Sequence, residues 1–465
     1  MAVLEILLPL VLAAWLIWLV ITPNAPRWRR FFPFGALALT VLHVLFFYRW
    51  QMIPLYAFTA GTALWSALKL NAPPKQDRRG ARLAFGTLGI VFLAVCAAPP
   101  FLFPIPDIPS PTGEYPVGTF SAPLTDPNRG EIWGDAPGGP RQLMVQVWFP
   151  AAGTGAETAP WMDNVEIVAP AISEWIGMPA FFLDHLAYAQ SDAYLDVAPA
   201  DGVFPVILFS HGWGGFRTQS TYLMQELASQ GFVVLSIDHS YGNVTTVFPD
   251  GTVIPHDPNT LPEDDLPTEE YDRRVNVLGT QWAADNAFVL DMLENWHRGT
   301  IESVLTGKLD FTRVGVMGHS TGGGAMVEFC AQDTRCDAAL LLDGWLPPVS
   351  PEVRAAGLSQ PVIFMYSELW PSTRNNELFS TLYAASTNDA YEIRIAGTDH
   401  YDFSDLPALS PLASTLGLKG PLSGDRVTEI VSGYTVAFFN TYLNEKPDDL
   451  LQSPGEFEEV AFKAK

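Results

Sequence analysis

At 465 residues the chain can hold two or three domains. Its net charge of −24 is unevenly divided: residues 1–105 carry nine Lys/Arg against two acids, a net of +7, and the remainder carries 17 against 48, a net of −31. So acidic a body offers no basic face to nucleic acid. It suits a domain held near an anionic membrane but not bound to it by charge.

Four apolar runs fill the basic part, at 3–22, 32–48, 52–69 and 83–103. Each is about 16–21 residues, near the length a helix needs to span a bilayer. They predict an all-α membrane domain of about four transmembrane helices over 1–105; the second and third runs are short enough to tilt or to pair as a hairpin. The first run does not read as a cleaved signal, because no basic residue precedes it and further apolar runs follow. Arg27, Arg29 and Arg30 lie between the first two runs, and Lys75, Arg78, Arg79 and Arg82 between the last two. Excess Lys/Arg marks cytoplasmic loops, so the amino terminus and everything after about residue 104 are expected on the extracytoplasmic side. Arg49, alone in the middle loop, weighs little against seven. Of the three cysteines, Cys96 falls in the fourth run as a small core residue. Cys330 and Cys336 fall beyond the membrane, where they can pair or remain free thiols.

Seven prolines between 99 and 116 read as a stiff extended linker. Strand candidates follow at 142–149, 205–210, 232–238, 313–317, 338–342, 361–367 and 391–395, mostly as continuous apolar runs. Helix candidates lie at 221–230, 273–296 and 427–443. Alternating β and α with such strands predicts a doubly wound, mostly parallel α/β sheet over 106–465. The 161–190 region is rich in Trp, Phe, Ile and Leu. It is either a core-packed insertion or a lid that dips into lipid.

Chemistry concentrates at Gly318-His319-Ser320-Thr321-Gly322, a G-x-S-x-G run between an apolar strand candidate and a helix-like stretch. That context suits a tight turn which lifts Ser320 out at the top of a sheet as a nucleophile; a plain glycine-rich turn is the alternative. A serine needs a base and a group to orient that base. His400 is the one histidine after Ser320. The acid is open between Asp343, a costly burial after three leucines unless it has a partner, and Glu368, at the end of the next strand. Asp399 adjoins His400, and neighbouring side chains diverge. The strand 205–210 runs into His211-Gly212-Trp213-Gly214-Gly215, an HGGG-like loop, so the amides of Trp213 and Thr321 are the candidate oxyanion donors. His211 and His319 read as loop braces and His239 as structural.

The runs Ser210–Thr218, Gly231-Phe232-Val233-Val234, Asp238-His239, Gly318-His319-Ser320, Gly322-Gly323 and Leu342-Asp343-Gly344-Trp345 resemble the platelet-activating-factor acetylhydrolase family. This is the calcium-independent, lipoprotein-associated type of phospholipase A2 in the α/β-hydrolase superfamily. The resemblance covers roughly 113–445, including the opening Glu114–Thr119. It implies an α/β-hydrolase fold, with Ser320, Asp343 and His400 as catalytic set, Trp213 and Thr321 as oxyanion amides, and no cofactor or metal. The departures are the amino-terminal apolar runs and the 151–200 region, which shapes the substrate side. The expected function is a membrane-anchored serine esterase acting on phospholipid acyl esters. General carboxylester or polyester hydrolysis is the alternative within that class, and a non-enzymatic binding protein the alternative outside it. No phosphate-binding G-x-x-x-x-G-K pattern occurs in the sequence.

Overall fold

A computed structural model describes residues 3–22, 27–70, 79–134, 137–370, 372–452 and 455–465, the side chain of Arg27 excepted. Lys75 and Arg78, two residues that carry the expected orientation, lie outside the described residues. The amino-terminal part is helical: Val3–Ile21, Phe32–Phe47, Ile53–Lys69 and Arg79–Ala97. Three stretches, Val3–Ile21, Trp28–Phe47 and Arg79–Leu102, are long and apolar enough to cross a membrane. Ile53–Lys69 has 17 residues, and at ~1.5 Å per residue it falls a little short of the ~30 Å hydrocarbon core. Arg29 donates to Thr22 O (2.8 Å) and Arg30 to Leu70 O (2.9 Å), tying the ends of the first and third helices to one loop. Arg49 is buried against Glu5 (3.4 Å) and donates to Phe103 O (3.0 Å).

The proline-rich run departs from the expected linker at its start. Pro99–Leu102 forms a helical turn, and chain without regular secondary structure begins at Phe103. Proline in a first helical turn forfeits no hydrogen bond, which is why Pro99 and Pro100 do not break it.

The rest is built on one sheet. Its strands are β1 Val117–Gly130, β2 Pro140–Pro150, β3 Thr158–Pro160, β4 Gln190–Tyr194, β5 Phe204–Ser210, β6 Val233–Asp238, β9 Leu309–His319, β10 Ala338–Leu342, β11 Val362–Ser367, β12 Ala390–Ile395 and β13 Val460–Ala464. A separate hairpin holds β7 Thr245–Val247 and β8 Val253–Pro255. The order is β13-β12-β11-β10-β9-β5-β6-β2-β1-β4-β3. From β6 through β12 all neighbours are parallel, while β2 on β6, β1 on β2 and β13 on β12 are antiparallel. All seven expected strands are present. Alternate residues feed two cores. Ile207, Phe209, Met317 and Leu342 pack beneath helices Thr221–Ser229 and Gly424–Leu443. Val206, Leu208, Val316 and Leu341 pack beneath Thr268–Arg298 and Thr321–Gln332. Burial on both faces is what makes these strands read as unbroken apolar runs.

A buried ionic network clamps β2 to this second layer. Arg141 Nη2 meets Asp285 Oδ2 at 2.7 Å and its Nη1 meets Glu131 Oε2 at 2.7 Å, all three buried. Burial opposes the charge on Asp285, yet Arg141 and a hydrogen bond from His239 hold its carboxyl well below the usual carboxylate range. Removing one partner strands the other charge. We expect Asp285→Ala to destabilise the fold by about 3–5 kcal/mol in denaturant titration, and Asp285→Ala/Arg141→Met to recover part of that loss.

Candidate active site

The parallel register sets the site. Leu342 on β10 pairs with His319 on β9, so the carboxyl ends of the two central strands finish side by side and release Ser320 and Asp343 one residue later. Ser320 has φ 53° and ψ −120°, a conformation L-residues rarely adopt, and Asp343 has φ 44°. Two bonds hold the serine turn: Ser320 N–H donates to Leu342 O (2.9 Å) and Trp345 N–H to Ser320 O (2.8 Å). The turn packs so tightly that a Cβ on Gly318 would lie 2.4 Å from Gly322 C, and one on Gly322 would lie 2.2 Å from Ser210 O. This is the close approach for which the glycines were expected.

His400 Nδ1 lies 3.1 Å from Asp343 Oδ2. The Asp343 carboxylate is fully buried and otherwise satisfied by Ser367, whose N–H donates to Oδ1 (2.7 Å) and whose hydroxyl donates to Oδ2 (2.6 Å). Burial pushes the Asp343 carboxyl up to about 7, against the pull of the Ser367 hydrogen bonds. Burial pushes His400 down to about 4. The His400 ring stacks on Trp370 at 4.2 Å, and its carbonyl accepts from His319 Nε2 at 2.9 Å. Asp399 does not reach the ring: it caps the short helix His400–Phe403. Glu368 is exposed and accepts from Gly397 N–H at 2.7 Å, bracing the loop before His400 without touching the imidazole. Of the two candidate acids, Asp343 is therefore the one in contact with His400.

The HGGG-like loop lies beside this pair. Gly214 N–H donates to Gly242 O and Gly215 N–H to Gly212 O, each at 2.8 Å. Thr321 opens the helix Thr321–Gln332, so its N–H has no acceptor within the helix. The Trp213 and Thr321 amides donate to no protein acceptor among the described residues. The other histidines brace. His319 accepts from Gln219 Nε2 (3.2 Å), and burial holds it down at about 3. His211 donates to Gly212 O (2.7 Å) and accepts from His239 N–H (3.2 Å). His239 joins Asp285 (2.9 Å) to Ser210 Oγ (2.9 Å), linking the loop to the buried ionic network. Ser367, Trp370 and Gln219 carry no motif, and nothing in the sequence alone marks them.

Ser320, Thr321, Trp213 and His400 open into one cavity of about 630 Å³. Trp175, Trp345 and Trp370 line it, with Ile172, Phe182 and Leu409 from flanking segments. The 161–190 region supplies part of this wall through the helix Val165–Trp175 and the turn Ala180–Tyr188. Part of it is core, as one of its two readings expects: Trp161, Val168 and Leu186 are buried, while Trp175 and Phe181 are exposed. Cys330 and Cys336 form a disulfide, with Cα atoms 5.2 Å apart. No group of three or more His, Cys, Asp or Glu able to hold a metal occurs among the described residues.

A mostly parallel sheet with a serine on a strained strand-to-helix turn defines an α/β-hydrolase-type protein. Ferulic acid esterase from Streptomyces cinnamoneus shares this architecture, with a TM-score of 0.62 and 27% identity over 77% of this chain and 99% of that one. A family model, platelet-activating factor acetylhydrolase, isoform II, matches residues 103–453. The chain belongs to that family. Among curated relatives, the platelet-activating factor acetylhydrolase of Cavia porcellus is 24% identical over 64% of this chain and 72% of its own. That of Gallus gallus is 26% identical over 63% and 76%. A bis(hydroxyethyl) terephthalate hydrolase of Streptomyces coelicolor is 29% identical over 43% of this chain and 51% of its own.

The burial of His400 has a direct consequence. A folded-state value below the ordinary 6.5 keeps the imidazole neutral until the pH falls well under 6. Histidine-ring NMR of the resting protein is expected to show His400 neutral at pH 6, with protonation appearing only on further acidification. A midpoint at or above 6.5 would contradict this.

Proposed function

We propose that this protein is a membrane-anchored serine hydrolase of carboxylic esters. It releases short or oxidised acyl groups from the middle position of glycerophospholipids and uses no cofactor or metal. The observation that carries the reading is the Asp343–His400 bond, with His400 lining a cavity that it shares with Ser320 on its strained turn. Family membership and relatives named platelet-activating factor acetylhydrolase and probable 1-alkyl-2-acetylglycerophosphocholine esterase support the substrate.

In this scheme His400 keeps its Nδ1 proton and donates a hydrogen bond through it to Asp343, which leaves the Nε2 lone pair to take the Ser320 proton. Ser320 Oγ attacks the ester carbonyl carbon, and the Trp213 and Thr321 amides hold the oxyanion. Collapse breaks the ester C–O bond, with His400 giving its proton to the departing lysophospholipid oxygen. Water, deprotonated by His400, then cleaves the acyl-serine. Ser320→Ala and His400→Ala are each expected to lower kcat by on the order of 10⁴–10⁶-fold, Asp343→Asn by about 10⁴-fold, and combinations by little more than the worst single change. Glu368→Gln is expected to change kcat by less than about threefold, because exposed surface bonds contribute little. A larger loss from Glu368→Gln than from Asp343→Asn would reverse the acid assignment.

A second reading, hydrolysis of aromatic or polymeric carboxylic esters, draws on the tryptophans lining the cavity and on the two esterase relatives from Streptomyces. Acetate release from a 2-acetyl phospholipid, set against hydrolysis of p-nitrophenyl acetate, separates the two. Cleavage of the simple ester alone would leave only the second. Absence of Ser320 labelling by a fluorophosphonate would remove both and leave a binding protein.

The helical part is proposed to cross the membrane about four times, with the sheet on the extracytoplasmic side. A phosphatase reporter after Lys465 should be active and one near Lys75 inactive. If both prove cytoplasmic, the 83–103 run does not cross the membrane and the four-span proposal fails.

A further inference from the structure

The cavity has a wall that the amino-terminal helices help to build. Phe103, just past the last turn of Arg79–Leu102, lines the cavity beside Phe182, with ring centroids 5.2 Å apart. Trp50, in the loop between the second and third helices, packs on both rings (6.0 and 5.7 Å) and donates to Phe182 O at 2.9 Å. Tyr188 donates to Tyr48 O (3.0 Å) and Ser410 to Leu102 O (2.5 Å), so both segments flanking the cavity are pinned to the helical bundle.

The lining carries no Lys, Arg, Asp or Glu among the described residues. His185 is buried in it with Nδ1 unpartnered, and burial pushes its pKa down to about 4, so it stays neutral. A charged headgroup thus finds no counter-ion inside and must stay at the mouth. The volume of about 630 Å³ is that of a pocket for a drug-sized ligand and far exceeds what an acetyl group fills. Around the wall, Phe101, Ile176, Phe181 and Leu416 are exposed, and so are Phe46, Leu88 and Val95 on the amino-terminal helices.

Resting on the phospholipid reading above, we infer that the wall of Phe103 and Phe182 seats the long hydrocarbon chain of the lipid whose short acyl group is cut, and that this chain enters sideways from the bilayer along the exposed rim. The helical bundle is then part of the substrate site as well as an anchor. The headgroup stays in water, the short acyl group reaches Ser320, and the long chain never fully leaves an apolar environment.

The test uses the full chain reconstituted in vesicles of a non-hydrolysable diether phosphatidylcholine. Two substrates are compared, 1-hexadecyl-2-acetyl and 1-butyl-2-acetyl phosphatidylcholine. The wild-type protein should favour the hexadecyl lipid in kcat/KM by at least about tenfold, the effect of burying only a couple of extra methylenes. Phe103→Trp, which fills the cavity beside that wall, should reduce that ratio severalfold; Phe182→Trp is the second variant, and either is scored only if a fluorophosphonate still labels Ser320. Independently of any variant, a hexadecyl chain carrying a terminal diazirine should crosslink wild-type protein at Phe103 or within 172–186. Equal cleavage of the two lipids, or crosslinks confined to other segments, overturns the inference while leaving the esterase intact. Cleavage of p-nitrophenyl acetate with none of either lipid overturns the phospholipid reading itself.

Discussion

Everything at the candidate site depends on how closely three backbone segments approach one another at the carboxyl end of β9. A side chain at Gly322 would occupy the space of Ser210 O, and one at Gly318 the space of Gly322 itself. With those side chains absent, the helix Thr321–Gln332 can begin directly against β5, and the chain between strand and helix is forced through φ 53° at Ser320. Such a conformation costs about 1–3 kcal/mol and persists only where surrounding contacts over-determine it. Here they do: Ser320 N–H and C=O are both bonded, to Leu342 and Trp345, on the neighbouring strand and the loop beyond it. The same approach brings the loop after β5 within reach of the helix start. Trp213 and Thr321 therefore line the same cavity.

A second constraint lies beneath that loop. His211 and His239 are both buried and both held below the ordinary histidine range by burial. Each is satisfied as a neutral ring, donating through Nδ1 and accepting through Nε2. The chain of bonds ends on Asp285 and Arg141, so the position of the HGGG-like loop is referred to an ion pair between the second strand and the long helix Thr268–Arg298. A half-satisfied network of this kind would be worse than an apolar core; a complete one fixes a single arrangement.

The sequence made the central sheet legible because its strands are buried on both faces and read as continuous apolar runs. It did not make all of the outer strands legible. β1 carries Pro123 and Pro127 and is half exposed, and β13, Val460–Ala464, follows acidic residues and pairs only with β12. Neither shows the run or the alternation that marks a strand, and both are defined by the partner they add to. The site residues Ser320, Asp343 and His400 stood out because a motif, a costly burial and an order of occurrence singled them out. Ser367, Trp370 and Gln219 did not. A serine ending a strand, a tryptophan in a loop and a glutamine before a helix have no local signature, and their roles arise only from what folding sets beside them.

Ser367 also bears on how the proposed orienting acid, Asp343, can sit at the end of β10 and not of the next strand. β11 ends at Ser367, and the next residue, Glu368, points away to Gly397. The end of β11 therefore supplies two donors where it would otherwise supply a carboxylate, and both converge on the Asp343 side chain from β10. A carboxylate buried with only an imidazole beside it would tend to take a proton and lose its orienting role. Two short bonds from Ser367 resist that shift and fix the plane of the carboxyl group, leaving the lone pair of Oδ2 that faces His400 available. Moving the acid to β10 therefore requires a small donor at the end of β11. Serine meets that requirement with its backbone and its hydroxyl together, and a residue without the hydroxyl would leave Oδ2 held by His400 alone.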